Sequence, residues 1–452
     1  MCQFAARIDQ KGAVRLGKPT AILLLCLCSI PRAQARITLL VGEPYGYDAF
    51  FAGTGHAAVY LSGVCATSPV VLRLCNPGED GVVLSRYLGI GGYDWIAIPL
   101  IPYLYAVEKQ EDVPLFSDPK LVSFLRDRYR REHLESLVPD LPTGGTPDGD
   151  WYELIGASYL RTIYTFEVES TAEQDENLIR TLNNRRNHQR WNLVRANCAD
   201  FAREVISLYF PHSVHRRIVG DLAVTTPKQL ASGVSKFSRL HPELQSSSFV
   251  IPQVPGTIPR SKRVRGVLEV AVTAKKYMVP IIILNPVVAG VMVAGCLENW
   301  QFNPGRNAPI LDSQHELGAP LTRADRRAFR DQLEEIVRMA PSAGASVDQK
   351  DWQALHDTAE PALDSFGGPI LQLRVGDEVT SVGVTRSNIL GVSASSEFAM
   401  GLVKARLREE LKSESTKKTA RADVESDLML LQELLALQPD GLASTARFAS
   451  DR

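Results

Sequence analysis

Cysteine is scarce in this chain: seven among 452 residues, three of them (Cys2, Cys26, Cys28) before residue 36. No C-x-x-C pair occurs, which removes a thioredoxin-like dithiol from consideration. Net charge is missing too. Lys+Arg 50 against Asp+Glu 51 leaves −1, so no global field would gather nucleic acid, and no nucleic-acid partner is expected. The basic run Arg260 to Arg265 reads as a solvated loop. Internal repeats and long low-complexity tracts are absent. The GIGG of residues 89–92 lacks the strand–glycine–helix setting of a nucleotide site and reads as a turn. The two histidines of HSVH (212–215) have no third ligand nearby. Neither a cofactor nor a metal is expected.

What is present is globular material. With 45% hydrophobic and 22% charged residues, the chain can bury a core, and its length suits two or three domains. Arg15 and Lys18 precede AILLLCLCSIP, and Ala33-Gln34-Ala35 follows. A basic start, a short apolar run and small residues at −3 and −1 describe a signal peptide over residues 1–35, with an uncleaved anchor as the alternative. Both export the rest of the chain. Leu25 and Leu27 stand where a lipoprotein attachment cysteine would need a small residue. Beyond the signal, Cys65 and Cys75 flank a hairpin turn and can pair outside the cytoplasm. Cys198 and Cys296 have no evident mate.

Short apolar runs separated by Gly, Pro and Asn fill residues 37–107: ITLLV, HAAVYL, PVVLRL, GVVLSR and DWIAIPLI. They predict a small antiparallel sheet. Residues 121–137 have helical spacing, 139–150 form a Pro/Gly loop, and SYLRTIYTFEVE is a strand. Thr171 and Gln174 open a further helix as a capping box. IPQVPGTIPRSKR falls in a linker, placed at 251–276. Residues 277–297 carry no charge and are long enough to span a membrane. Pro280 and Pro286 argue against a straight helix, and the preceding Lys275 and Lys276 against an exported flank. A buried hairpin is the alternative; membrane association is the preferred expectation. Residues 298–452 are expected to be α-rich with one β-hairpin around Gly376-Asp377. The apolar stripe LMLLQELLAL points to packing or self-association.

The stretch RANCADFAREVI carries the chemistry. Asn197 is a good N-cap, and Phe201, Val205, Ile206 and Tyr209 share one helical face. Cys198 then sits in the first turn, where free amides favour thiolate and can hold an oxyanion. The plain alternative is a small apolar residue at a helix start. Among eight histidines, His56 stands apart. GTGHAAVYL places it at the mouth of an apolar strand, sharing a face with Ala58 and Tyr60, so that the imidazole meets a helix packed across the sheet. Taken alone, His56 reads equally well as a core histidine bonded to backbone. Trp95 reads as groove or core, Trp191 as core.

A GH-A-x-x-Y strand followed much later by N-C-x-x-F at a helix start resembles the circularly permuted branch of the NlpC/P60 superfamily, a papain-like fold. That branch includes lecithin-retinol acyltransferase-like enzymes. More narrowly, WYELIGASYLRTIYTFEVE through WNLVRANCADFAREV resembles the periplasmic domain of Lnb-type lipoprotein N-acyltransferases, formerly a domain of unknown function. The likeness covers residues 37–215. It implies an α+β fold with a papain-like domain at 36–250, His56 as general base, Cys198 as nucleophile, and Asn197 as cap and oxyanion residue. The family's third residue lies on the next strand, where Arg73 is a poor orienter; Glu79 is the better choice. The implied protein is a periplasmic thiol hydrolase or acyltransferase, thiol protease-like in its chemistry. Its substrate is a membrane lipid, a lipoprotein or a peptidoglycan peptide. The competing expectation is a catalytically degenerate, membrane-attached binding protein, favoured by Arg73.

Overall fold

The computed structural model describes residues 35–45, 52–216, 221–273, 285–300, 322–339, 358–375, 378–389 and 421–436, with several positions between 400 and 411. The expected signal peptide (1–35) lies outside these residues but for Ala35, as does the first part of the 277–297 segment. The fold is mixed α+β around an antiparallel sheet.

Six strands make that sheet: β1 (Arg36–Gly42), β2 (His56–Leu61), β5 (Val82–Ser85), β6 (Ile96–Pro99), β7 (Ile163–Glu169) and β8 (Ser247–Ile251). Their order is β6-β5-β2-β1-β7-β8, and every pairing is antiparallel. The central strands read as continuous apolar runs because both of their faces are covered. In β1 all residues after Arg36 are buried. One face, with Ile37, Leu39, Val41, Ala57 and Val59, packs against α4 (Ala172–Asn183), α5 (Cys198–Tyr209) and α6 (Pro227–Leu240). The small side chains of Ala57 and Ala58 let helices approach closely. The other face, with Leu40, Ala58 and Val83, packs against α1 (Leu100–Tyr105), α2 (Pro119–His133) and α3 (Trp151–Leu154). Trp95 is buried in the first of these cores.

Strands β3 (Val64–Ser68) and β4 (Val71–Leu74) stand apart as a two-stranded hairpin. The Cys65–Cys75 disulfide closes it. The Asn183 side chain clamps it to α4, accepting from the Leu72 N–H at 2.9 Å and donating to the Leu72 carbonyl at 2.8 Å. The strand that follows β2 in sequence is therefore not its neighbour in the sheet. That neighbour is β5.

The later elements are α7 (Val267–Thr273), α8 (Pro286–Trp300), α9 (Arg323–Met339), the strands β9 (Glu360–Leu363), β10 (Pro369–Val375) and β11 (Glu378–Gly383), α10 (Arg386–Ile389) and α11 (Arg421–Ala436). The predicted hairpin is present as β10–β11, and β9 adds a third strand. Of these, α9, β10, β11 and α11 share the core of α1–α3: Phe329, Leu371, Val382 and Leu431 belong to the cluster of Phe116, Leu121 and Leu154. Residues 251–266, expected as linker, form the seam. Gln253 is fully buried, its amide donating to the Tyr159 and Pro259 carbonyls, and Arg260 pairs with buried Asp427 at 2.8 Å.

The expected membrane span is not supported. No helix among the described residues is long and apolar enough to cross a membrane. α8 has 15 residues, roughly 22 Å of helix against a hydrocarbon core of about 30 Å. Met292 of α8 packs on Leu268 and Ala271 of α7. Prolines flanking a short apolar run favour this packed arrangement over one long helix.

Candidate active site

Asn197 is the N-cap of α5. Its Oδ1 accepts from the Asp200 N–H at 2.9 Å, and Asp200 Oδ2 accepts from the Asn197 N–H at 3.3 Å, a reciprocal box. Asp200 is fixed in turn by Thr225 Oγ1 at 2.6 Å and by Arg216. The Asn197 Nδ2 donates to the carbonyls of Leu193 and Thr225, both at 3.0 Å. Every polar atom of this side chain is thus committed to holding the turn. Asn197 is the cap, and both N–H groups of its side-chain amide are taken by backbone carbonyls.

Cys198 follows as the first helical residue, free of any disulfide and partly exposed. The backbone amides of Ala57 and Ala199 act on the sulfur to pull its pKa down. Burial of the thiol, aided by the Glu153 charge, nevertheless wins over both amides, pushing its pKa up to about 11. The expectation of a resting thiolate is therefore corrected: desolvation of an anion costs more than two amide dipoles return. With the folded thiol near 11 and an unperturbed one near 9, the thiolate fraction at pH 7.5 falls roughly a hundredfold. Iodoacetamide should label Cys198 about that much more slowly in the folded chain than in the denatured chain, the gap closing above pH 10. Equal rates at pH 7.5, read by peptide mass spectrometry, would contradict this.

His56 opens β2. Gly55 before it has φ +86°, and a Cβ there would lie 2.3 Å from the Gly42 carbonyl oxygen, so only glycine lets the chain turn into the strand at this point. The imidazole is 6% exposed and stacks on Tyr87, ring centroids 5.8 Å apart. It lies on the Ala58 face of the sheet, whereas α5 packs on the Ala57 face. The imidazole does not meet that helix across the sheet as expected; the two side chains reach the start of β2 from opposite faces. Each is the first residue of its element, and their link is electrostatic: the Ala57 amide, one residue from His56, lowers the thiol's pKa, and the charges of Glu153 and Arg161 act on both groups.

Both imidazole nitrogens have partners. Nε2 lies 3.0 Å from Ser85 Oγ on β5, which also donates to the Ala57 carbonyl at 2.8 Å. Nδ1 lies 3.2 Å from Glu153 Oε2 of α3. This contact is off the hydrogen-bond direction, and Oε2 has no aligned donor. Glu153 Oε1 accepts from Arg161 Nη2 at 2.8 Å, and Arg161 lies over the Tyr45 ring at 4.5 Å. Burial alone would raise the Glu153 carboxyl. The charges of Arg161, His56 and Arg126 reverse this and hold it below the usual range.

Burial lowers the His56 pKa to about 4, against an opposing pull from Glu153. The resting pair is a neutral thiol and a neutral imidazole. An unfolded histidine near 6.5 binds its proton before the folded one does, so stability is complete above pH 6.5 and declines as pH falls toward 4. The difference is worth roughly 3 kcal/mol. Denaturant midpoints measured between pH 7 and 4 should drop for the native chain, and drop less for His56→Gln.

Glu79 is not at the site. It is solvent-facing and grips Arg73 in a two-pronged pair at 2.6 and 2.8 Å, which lowers its carboxyl to about 2. Arg73 belongs to the detached hairpin, so it does not occupy the orienter position either. Sequence reasoning missed Glu153, Ser85 and Arg161. Ser85 was within reach, since GVVLSR was read as a strand. Glu153 carries no local signal and reaches His56 only through the packing of α3 beneath the sheet. Comparison of the chain with family models, with curated proteins and with solved structures returns no match.

Proposed function

We propose that this protein is a cell-envelope cysteine-dependent hydrolase or acyltransferase that acts through Cys198 and His56 on a lipid ester or peptide amide. The exported setting rests on the basic, apolar and small-residue pattern of residues 1–35. The observation that carries the chemistry is the start of β2. A partly exposed thiol, its pKa pulled down by the Ala57 and Ala199 amides, shares the charges of Glu153 and Arg161 with a histidine that lies 3.2 Å from the Glu153 carboxylate.

In this reading the sulfur attacks the carbonyl carbon as His56 takes the thiol proton. For that transfer the ring swings off Ser85, a neutral partner worth about 1 kcal/mol, while Glu153 stabilises the imidazolium. The Cys198 backbone N–H, at the start of the first helical turn, holds the oxyanion. The C–O or C–N bond then breaks, His56 hands its proton to the leaving oxygen or nitrogen, and a thioester remains on Cys198. Water or an amine attacks the thioester by the same steps and regenerates the thiol. A neutral resting pair fits a base that acts during attack rather than a preformed ion pair.

One observation favours a second reading. Ser85, His56 and Glu153 stand in the order of a serine hydrolase triad, at 3.0 and 3.2 Å. Access argues against it, because Ser85 is fully buried in a strand whereas Cys198 is partly open. Acid quenching during turnover of a p-nitrophenyl acyl ester, followed by peptide mass mapping, separates the readings. An acyl group on the Cys198 peptide supports the thiol enzyme, and one on the Ser85 peptide selects the serine enzyme. No acylation at either points to the degenerate binding protein.

A further inference from the structure

The outer flank of α5 bears a basin of about 440 Å³, lined by Arg86, Arg190, Arg195 and Arg203 together with Asp200 and Glu204. It begins within two residues of Cys198 on either side, at Ala196 and Asp200. For a chain of net charge −1, the local balance is unusual. Arg86, Arg185, Arg190, Arg203 and Arg216 share three carboxylates: Asp94, Asp200 and Glu204. The Arg195 guanidinium has no ion pair among the described residues.

These arginines are not equally satisfied. Arg86, with only 3% of its side chain exposed, is fixed by a two-pronged bond to buried Asp94 at 2.7 and 2.9 Å. It reaches the Asn197 carbonyl at 3.5 Å and so ties the basin wall to the cap of the cysteine helix. Arg203 comes only within 3.9 Å of Asp200, and its Nε is buried without a hydrogen-bond partner. A buried donor left unpaired is costly. An open basin with excess guanidinium beside such a donor matches an anion carrying several acceptor oxygens.

We propose that this basin binds the phosphoryl group of a phosphate ester, the head group of the molecule whose acyl chain Cys198 takes. The assignment of the ester as acyl donor rests on the thiol reading above; the binding of phosphate does not. Arg195 and Arg203 supply the free donors, and Arg86 couples the occupied basin to the first turn of α5. The excess of positive charge suits phosphate over a carboxylate, which brings less charge and fewer oxygens.

The test is calorimetric titration of the full chain carrying Cys198→Ala, so that no turnover consumes the probe. The probes are inorganic phosphate, acetate, glycerol 3-phosphate and short-chain phosphatidylglycerol below its micelle concentration. Phosphate should bind and acetate should bind far more weakly. Arg195→Gln and Arg203→Gln should each weaken phosphate by about tenfold, with unchanged thermal midpoints. Phosphatidylglycerol should bind more tightly than glycerol 3-phosphate. Absent phosphate binding, equal acetate binding, or indifference to both substitutions in folded protein overturns the basin. Equal affinity for the lipid and for glycerol 3-phosphate overturns the acyl-donor assignment. Because the probe protein lacks the thiol, none of these results depends on Cys198 chemistry.

Discussion

Cys198→Ala should reduce hydrolysis of an activated acyl ester to the uncatalysed rate, a loss of about 10³-fold or more in kcat/KM, while Ser85→Ala should cost about tenfold or less. The asymmetry follows from exposure. A nucleophile must reach a carbonyl carbon, and the only partly exposed member of the group formed by Cys198, His56 and Ser85 is the cysteine. Ser85 Oγ lies between the imidazole and the Ala57 carbonyl inside a covered sheet. Its removal frees the ring without taking away the attacking atom. His56→Ala should approach the Cys198→Ala loss at neutral pH and recover partially as pH climbs toward 11, where the thiol ionises without help. The reverse pattern, with Ser85→Ala inactive and Cys198→Ala intact, would transfer the chemistry to the serine.

Glu153→Gln should produce the second large effect, on stability as well as turnover. Arg161 is 2% exposed, and Glu153 is the carboxylate it pairs with, at 2.8 Å. Gly42 leaves room for that arginine: a Cβ there would sit 2.6 Å from Arg161 Cδ. Neutralising the carboxylate strands a buried guanidinium charge, a loss of about 3–5 kcal/mol and a fall in Tm on the order of 5–10 °C. The double substitution Glu153→Leu with Arg161→Met should recover much of this stability, because it removes both charges together. It should not recover activity, since the imidazolium formed during attack would have no carboxylate beside it. Glu79→Ala offers the contrast. That carboxylate pairs with Arg73 at the surface of the hairpin, and thermal midpoint and turnover should stay close to those of the native chain. A calorimetric scan of the four proteins checks the stabilities, and turnover of an activated acyl ester by each checks the activities.

Much of the local structure was legible in the residues. The apolar runs of residues 37–107 form strands where they were expected, although PVVLRL went to the hairpin. The Thr171–Gln174 box caps α4, with Gln174 Oε1 accepting from the Thr171 N–H at 2.9 Å, and Asn197 caps α5. Such signals act over three or four residues, so they can be read without knowing the fold. The Cys65–Cys75 pairing was equally local, since ten residues of hairpin bring the two together.

Which side chains stand around His56 could not be read in this way. The choice of Glu79 assumed that consecutive strands are neighbours, and the β3–β4 excursion breaks that assumption by handing the place to β5 and Ser85. The carboxylate came from Glu153, 97 positions beyond the histidine, on a four-residue helix with no motif of its own. The charge state of the thiol also reversed between sequence and structure. A helix start favours thiolate wherever water can reach it, but how far water reaches depends on every element packed around the sulfur. Short-range bonding is written in neighbouring residues, whereas desolvation and sheet adjacency are properties of the assembled layers.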